Sequence, residues 1–177
     1  MVRLFTAVPI PFDIAEGLSR RQRGLPGARW RPAEALHITL AFYGDVTGPC
    51  ADDLTAELTR ARVDPFELTL EGVGAFGEDH RSRALWAGVA ASEPLDILAG
   101  RCRAAALRAG VALESRDYRP HVTLAYLRGA QDDRVGAWMT GHNLLKSPPF
   151  RVDRFGLYAS VLTGAGSHYT LEREYLF

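Results

Sequence analysis

Two short segments of the chain repeat the same chemically useful residues. Residues 37–42 read His-Ile-Thr-Leu-Ala-Phe, and residues 121–126 read His-Val-Thr-Leu-Ala-Tyr. An Arg-Pro pair precedes each copy, at residues 31–32 and 119–120, although its spacing to the histidine differs. Because the copies lie about half a chain apart, they predict two related lobes that each contribute one histidine and one threonine.

The alternation within each copy predicts a strand with one chemically active face. Side chains of a strand point alternately to its two faces, so His37 and Thr39 share a face while the apolar residues between and beyond them face the core. The imidazole and the hydroxyl are then about 6.6 Å apart along the strand. The same spacing gives His121 and Thr123 a common face.

Two such faces turned toward one another suit chemistry at a phosphate diester. In-line displacement at phosphorus needs one group that takes a proton from the attacking oxygen and another that gives a proton to the leaving oxygen. Histidine fills either role near neutral pH, and threonine hydroxyls donate hydrogen bonds to the non-bridging oxygens. We therefore predict four catalytic residues: His37, Thr39, His121 and Thr123. A duplicated strand without chemistry is the alternative.

The segments around the motifs predict an α+β fold. Alternation and turn residues indicate strands at residues 3–9, 36–43, 66–76, 84–91, 121–127, 150–162 and 169–177. Helices are expected at residues 13–24, 48–62, 94–110 and 132–140. We expect one domain over residues 1–177, built from two lobes with largely antiparallel sheets.

The composition favours a globular protein without a long polyanion as partner. Of the 177 residues, 47% are hydrophobic, and 21 basic residues balance 21 acidic ones. A formal charge of zero gives no reason to expect a long polyanion as partner, but it is compatible with a short nucleic-acid end as ligand. No apolar segment approaches the roughly 20 residues that span a bilayer. The N-terminal stretch does not resemble a secretory leader, so we expect a cytoplasmic monomer that does not contact membranes.

Other residues that often carry chemistry are assigned structural roles. Cys50 and Cys102 lie far apart outside any CxxC arrangement, and we expect buried free thiols. Because the sequence has no HxxxH, HxH or CxxC spacing, we expect no metal and no other cofactor. We interpret the remaining histidines, His80, His142 and His168, as surface residues. Trp86 and Trp138 are expected in the core. Trp30 is expected in a loop, where it could contact RNA.

The paired motifs resemble those of the two-histidine (2H) phosphoesterase superfamily. Within it, the chain is most similar to the bacterial and archaeal RNA 2′,3′-cyclic phosphodiesterases, formerly called 2′-5′ RNA ligases. The likeness extends over essentially the whole chain, at residues 3–7, 36–40, 85–89 and 119–125 and at Leu157, Ser160, Leu162, Gly166, Tyr169 and Leu171.

The resemblance implies a bilobal, pseudo-twofold fold in which two sheets face a central cleft and the helices lie outside. It also implies metal-independent hydrolysis of 2′,3′-cyclic phosphate ends of RNA to 2′-phosphates. By position, His37 would be the acid that protonates the leaving O3′, and His121 would be the base that activates water. Thr39 and Thr123 would hold the phosphate oxygens. The motifs alone do not distinguish the acid from the base.

One position departs from the family pattern. Family members commonly have arginine or lysine two residues after the leucine of the second motif, where this chain has Tyr126. Strict alternation puts Tyr126 on the face opposite His121 unless a bulge intervenes. We predict Tyr126, Arg128 and Arg119 as substrate-binding residues, with Arg128 compensating for the missing cation.

Three functions fit these residues. The first is a cyclic phosphodiesterase for RNA ends, with ATP-independent 2′-5′ RNA joining as a side activity. The second is a phosphodiesterase for 2′-5′-linked or other small nucleotides. The third is a non-catalytic module that binds RNA ends. The two opposed histidines argue against this function, because a binding module would not need two groups that transfer protons.

Overall fold

The computed structural model describes residues 1–78, 81–163 and 166–177. The strands are β1 (Val2–Pro9), β2 (Ala28–Trp30), β3 (His37–Val46), β4 (Phe66–Leu68), β5 (Leu70–Glu78), β6 (Arg81–Val89), β7 (His121–Leu127), β8 (Phe150–Val152), β9 (Arg154–Thr163) and β10 (Gly166–Leu176). The α-helices are α1 (Phe12–Ser19), α2 (Gly48–Glu57), α3 (Glu93–Arg108) and α4 (Asp132–His142). Single 3₁₀ turns lie at Ala33–Ala35 and Leu58–Arg60.

The strands form one large and one small antiparallel sheet. The large sheet has the order β10-β9-β1-β3-β7-β6-β5, with β2 paired to β7, and β4 pairs with β8 in the small one. The two motif strands, β3 and β7, are neighbours at the centre and are joined through the pair Ile38 and Val122. This junction divides the large sheet into two four-stranded halves, which are the two lobes. The predicted α+β fold with two antiparallel sheets is confirmed.

The core lies behind the two motif strands. Ile38, Leu40, Val122 and Leu124 are at most 2% exposed and belong to the same hydrophobic cluster as the buried face of α3. That burial fixes which face of each strand turns away from the core, and therefore where the histidines and threonines point.

Helix α3 has clear sequence signals at both ends. Ser92 Oγ accepts a hydrogen bond from the backbone N–H of Leu95, and Pro94 occupies the first turn. Gly110 follows the helix with a φ of 73°, the left-handed conformation that glycine adopts without strain. Within the described residues, no helix combines the length and apolar character needed to cross a membrane.

Three predicted elements differ from the structure because of their pairing partners. The predicted strands at residues 66–76 and 150–162 are each broken, so that β4 and β8 form the small sheet while β5 and β9 join the large one. At the first break, the backbone N–H of Leu70 donates to Ser147 Oγ at 2.9 Å. The segment Ala28–Trp30 is a strand rather than a loop. Polar and apolar alternation continues through a change of partner, so the sequence pattern does not show these breaks.

Candidate active site

The two motifs have the same pattern of exposure, residue by residue. In each, the histidine and threonine are partly buried, while the residue between them and the leucine that follows are buried. The predicted shared face for His37 and Thr39, and for His121 and Thr123, is therefore confirmed. The buried residues anchor each strand, and the polar residues stand on the opposite surface.

The register between β3 and β7 brings the four side chains together. Because Ile38 pairs with Val122 in antiparallel orientation, the flanking positions place His37 beside Thr123 and Thr39 beside His121. The imidazoles thus occupy one diagonal of this quartet and the hydroxyls the other. A local twofold axis passes through the Ile38–Val122 pair.

Both imidazoles are oriented by the same local hydrogen bond. Nδ1 of His37 contacts the carbonyl oxygen of Ala35 at 2.8 Å, and Nδ1 of His121 contacts that of Arg119 at 2.6 Å. A carbonyl oxygen only accepts, so Nδ1 carries the proton that it donates, and the neutral ring then has its lone pair on Nε2. In both motifs the lone pair of the neutral imidazole therefore lies on Nε2.

Aromatic side chains flank each imidazole. The ring of His37 lies 5.0 Å from that of Phe5 and 5.2 Å from that of Tyr169, measured between centroids. The ring of His121 lies 4.8 Å from that of Phe76 and 6.3 Å from that of Trp86. The assignment of Trp86 to the core is therefore wrong, since this residue is partly exposed and flanks His121.

This environment lowers the pKa of both histidines. Burial, helped by the charges of Arg31 and His121 and opposed by the hydrogen bond to Ala35, lowers the pKa of His37 to about 4. Burial also lowers the pKa of His121, against the effect of its hydrogen bond to Arg119. Both imidazoles are therefore neutral at pH 7 in the free protein, and His121 takes up a proton more easily than His37.

A β-bulge in each motif changes the face that the next aromatic residue occupies. Between β6 and β7 the partner of Leu85 is Ala125 and that of Trp86 is Thr123, so Leu124 is an extra residue. Leu40 is the corresponding extra residue between β1 and β3. Strict alternation after the second motif is therefore wrong, and Tyr126 lies on the same face as Thr123.

A cavity of about 220 Å³ opens on this face. Its lining includes His37, Thr39, Thr123 and Tyr126. His121 is not among the described residues that line it, although the register of β3 and β7 puts it beside Thr39. A neighbouring groove of about 270 Å³ shares three residues with the cavity, which are Phe5, His37 and Tyr169.

Several residues that line the cavity were not identified as site residues from the motifs, among them Arg3, Arg31 and Tyr169. Arg3 forms an ion pair with Asp45 at 3.5 Å. The sequence offered two signals, because Arg31 belongs to the Arg-Pro pair before the first motif and Tyr169 to the pattern at the end of the chain. Neither signal indicated a position in the cavity.

The two arginines predicted to bind substrate lie outside this lining. Arg119 is exposed and contributes the carbonyl oxygen that orients His121. Arg128 is exposed beyond the end of β7, where its backbone N–H donates to the carbonyl oxygen of Gly27 at 2.8 Å. Their contacts with substrate stay predictions.

The remaining assignments have mixed outcomes. Trp138 is in the core as predicted, and Trp30 packs beside it with ring centroids 5.6 Å apart. His142 stacks on Trp138 at 4.2 Å and is partly buried, while His168 is exposed. Cys102 is buried and Cys50 partly so, and both are free. His80 lies outside the described residues.

The fold and the site together define an α+β protein with a duplicated His-x-Thr strand at the junction of two lobes. The 2′-5′ RNA ligase superfamily profile matches residues 10–162. The chain belongs to this superfamily, as its motifs indicated.

Similar proteins are known in sequence and in structure. An RNA 2′,3′-cyclic phosphodiesterase of Escherichia coli (strain K12) is 34% identical, over 95% of this chain and 92% of that protein. One from Geobacillus stearothermophilus is 36% identical, but the match spans 68% of this chain and only 40% of that protein. A crystal structure of E. coli LigT complexed with 3′-AMP has a TM-score of 0.81 at 27% identity, covering 99% of this chain and 98% of that one.

Proposed function

We propose that this protein hydrolyses 2′,3′-cyclic phosphate ends of RNA to 2′-phosphates, with His37 and His121 as its acid and base. The observation that carries the proposal is the quartet of two imidazoles and two hydroxyls at the β3–β7 junction. Each imidazole is fixed through Nδ1 with Nε2 available. The activity named for the E. coli and Geobacillus relatives supports the same reaction.

The quartet accounts for every bond and proton of the reaction. Nε2 of one neutral histidine takes a proton from water while the water oxygen attacks phosphorus. The P–O3′ bond breaks on the opposite side, and the other histidine, protonated at the start, gives its Nε2 proton to O3′. Thr39 and Thr123 donate hydrogen bonds to the non-bridging oxygens. The products are a 2′-phosphate and a free 3′-hydroxyl.

We assign the acid to His37 and the base to His121, as the family resemblance implies. In the free protein His37 is the harder of the two to protonate, because it is more strongly desolvated and lies near the charge of Arg31. A bound phosphate anion neutralises that charge and favours the imidazolium form. On this assignment, substrate binding favours protonation of His37, which is the form that acts as the acid.

We expect two related activities of the same site. If a 5′-hydroxyl of a second RNA takes the place of water, the same proton transfers produce a 2′-5′ phosphodiester without ATP. The groove next to the cavity, which includes Phe12 and Glu34, offers space for the nucleotide attached to the phosphate. Small cyclic nucleotides would therefore be substrates as well as RNA ends.

The experiment is an activity panel on the purified protein with EDTA present. The substrates are an oligoribonucleotide with a 2′,3′-cyclic phosphate end, a 2′,3′-cyclic mononucleotide and a 2′-5′-linked dinucleotide. We expect hydrolysis of the first two, 2′-phosphate as the product, and no loss of rate with EDTA. Cleavage of the 2′-5′ linkage alone would favour the second function. Tight binding without turnover would favour the RNA-end-binding module.

A further inference from the structure

One cation of the cavity comes from outside both motifs. Arg31 follows β2, whose residues pair with the outer half of β7. Its backbone N–H donates to the carbonyl oxygen of Leu124, the bulge residue, at 2.8 Å. Gln22 Nε2 donates to the carbonyl oxygens of both Arg31 and Leu124, at 2.8 and 3.0 Å. The backbone of Arg31 is therefore fastened to the second motif at its bulge.

Two tyrosines flank the side chain of Arg31. Its Cζ lies 5.8 Å from the ring centroid of Tyr126 and 5.3 Å from that of Tyr169, within the range of cation–π attraction. One guanidinium N–H donates to the carbonyl oxygen of Ser167 at 3.4 Å. The tyrosines therefore restrict the orientation of the guanidinium at the wall of the cavity.

The charge of Arg31 has no counter-ion in the part of the chain that the structure describes. The ion pairs found there do not include it. Arg3, the other arginine of the cavity, is already paired with Asp45. A guanidinium has five N–H donors in a planar fork that matches phosphate oxygens. Arg31 is thus the cavity cation best prepared to receive an anion.

We propose that Arg31 binds a non-bridging oxygen of the reacting phosphate, and that Tyr126 and Tyr169 hold its guanidinium in position. The proposal rests on the proposed function, because it identifies the cation of the same site. It replaces the expectation that Arg128 compensates for the tyrosine at position 126. The guanidinium of Arg31 reaches the cavity because this residue follows β2, which pairs with β7, and because its backbone is hydrogen-bonded to the bulge residue Leu124.

Two measurements test this proposal. The first is calorimetric binding of inorganic phosphate, which requires no turnover, and the second is kcat and KM for a 2′,3′-cyclic mononucleotide, which carries one phosphate. We expect Arg31→Gln to weaken phosphate binding about 10- to 100-fold and to raise KM, because a charge-assisted hydrogen bond is lost. The phosphate affinity of Arg31→Lys should lie between those of the unmodified protein and Arg31→Gln, since lysine keeps the charge but not the planar fork of N–H donors. Arg60→Gln, at an exposed arginine paired with Glu57, is the matched control.

Relocating the charge provides a second line of evidence. In the double variant Arg31→Gln and Tyr126→Arg, a cation at position 126 should recover most of the lost phosphate affinity. Unchanged phosphate affinity in Arg31→Gln, with a loss in Arg128→Gln instead, would overturn the proposal. So would a defect confined to oligonucleotides, because Arg31 would then contact a neighbouring phosphate. If Arg31→Gln loses phosphate binding but the unmodified protein hydrolyses no substrate, the proposed function fails, whereas Arg31 is still established as the phosphate-binding cation of the cavity.

Discussion

At the scale of single residues, the protonation states of His37 and His121 control the proposed reaction. The active form carries one proton on the pair, because the acid must be protonated while the base is neutral. Burial moves the pKa of both histidines below the ordinary value of 6.5. The sequence alone placed proton transfer near neutral pH, because it does not reveal how deeply each imidazole is buried.

The lowered pKa values predict an acidic optimum for kcat/KM, which reports on the free enzyme. As pH falls through about 4, where His37 titrates, both histidines become protonated and the base is lost. As pH rises through the lowered pKa of His121, both become neutral and the acid is lost. We therefore expect a bell-shaped kcat/KM with its maximum between these two values, measured by initial rates on a cyclic mononucleotide.

The optimum of kcat should lie at higher pH than that of kcat/KM. The bound phosphate anion favours the charged imidazole and so raises the pKa of both histidines in the complex. Coinciding optima would contradict this effect of the bound phosphate, and a kcat/KM profile with a single limb would contradict the paired mechanism.

At the scale of elements, small residues in β5 and β6 make room for the aromatic wall beside His121. A Cβ atom at Gly74 would overlap the Trp86 ring, and one at Gly88, the partner of His121, would overlap the backbone of Glu71. The close approach of β5 to the Trp86 ring therefore depends on glycine. Because Trp86 also flanks His121, this packing helps to position the imidazole.

We expect Gly74→Ala to lower kcat/KM about tenfold, since a displacement of about 1 Å near reacting groups can cost more than that. The added methyl group must push the Trp86 ring toward its neighbours. Gly100→Ala is the control, because a Cβ there meets nothing within 4 Å and the position is helical. That substitution should stabilise the protein by roughly 0.5–1 kcal/mol with unchanged activity. Equal activity of both variants in a steady-state assay would argue against the packing role.

The sequence predicted the elements that carry the chemistry better than the elements around them. The bounds of β7 and the faces of the four catalytic candidates followed from alternation, because each strand has a single buried face. The bulges at Leu40 and Leu124 did not, since an extra residue in a strand depends on its partner's register. Arg31 was missed as a site residue for the same reason: its position follows from pairing between β2 and β7, which are far apart in sequence.

At the scale of the whole molecule, the site belongs to neither lobe alone. Each half of the large sheet contributes one histidine and one threonine, and the halves are joined through Ile38 and Val122. The small sheet and the hydrophobic core behind both motif strands hold the halves in one arrangement. Because the formal charge is zero, phosphate recognition by the proposed site would depend on the local charges of the cavity.

The most direct test of the central claim is single-turnover hydrolysis of a 2′,3′-cyclic phosphate by His37→Ala and His121→Ala. Each variant should fold normally by circular dichroism, because both imidazoles stand on the face away from the core. We expect each to lose about 10²- to 10⁴-fold in rate, the contribution of one general acid or base. The double variant should be little slower than either single variant, because the two residues act as a unit. A folded single variant that retains a rate within about threefold of the unmodified protein, far below that contribution, would contradict the account.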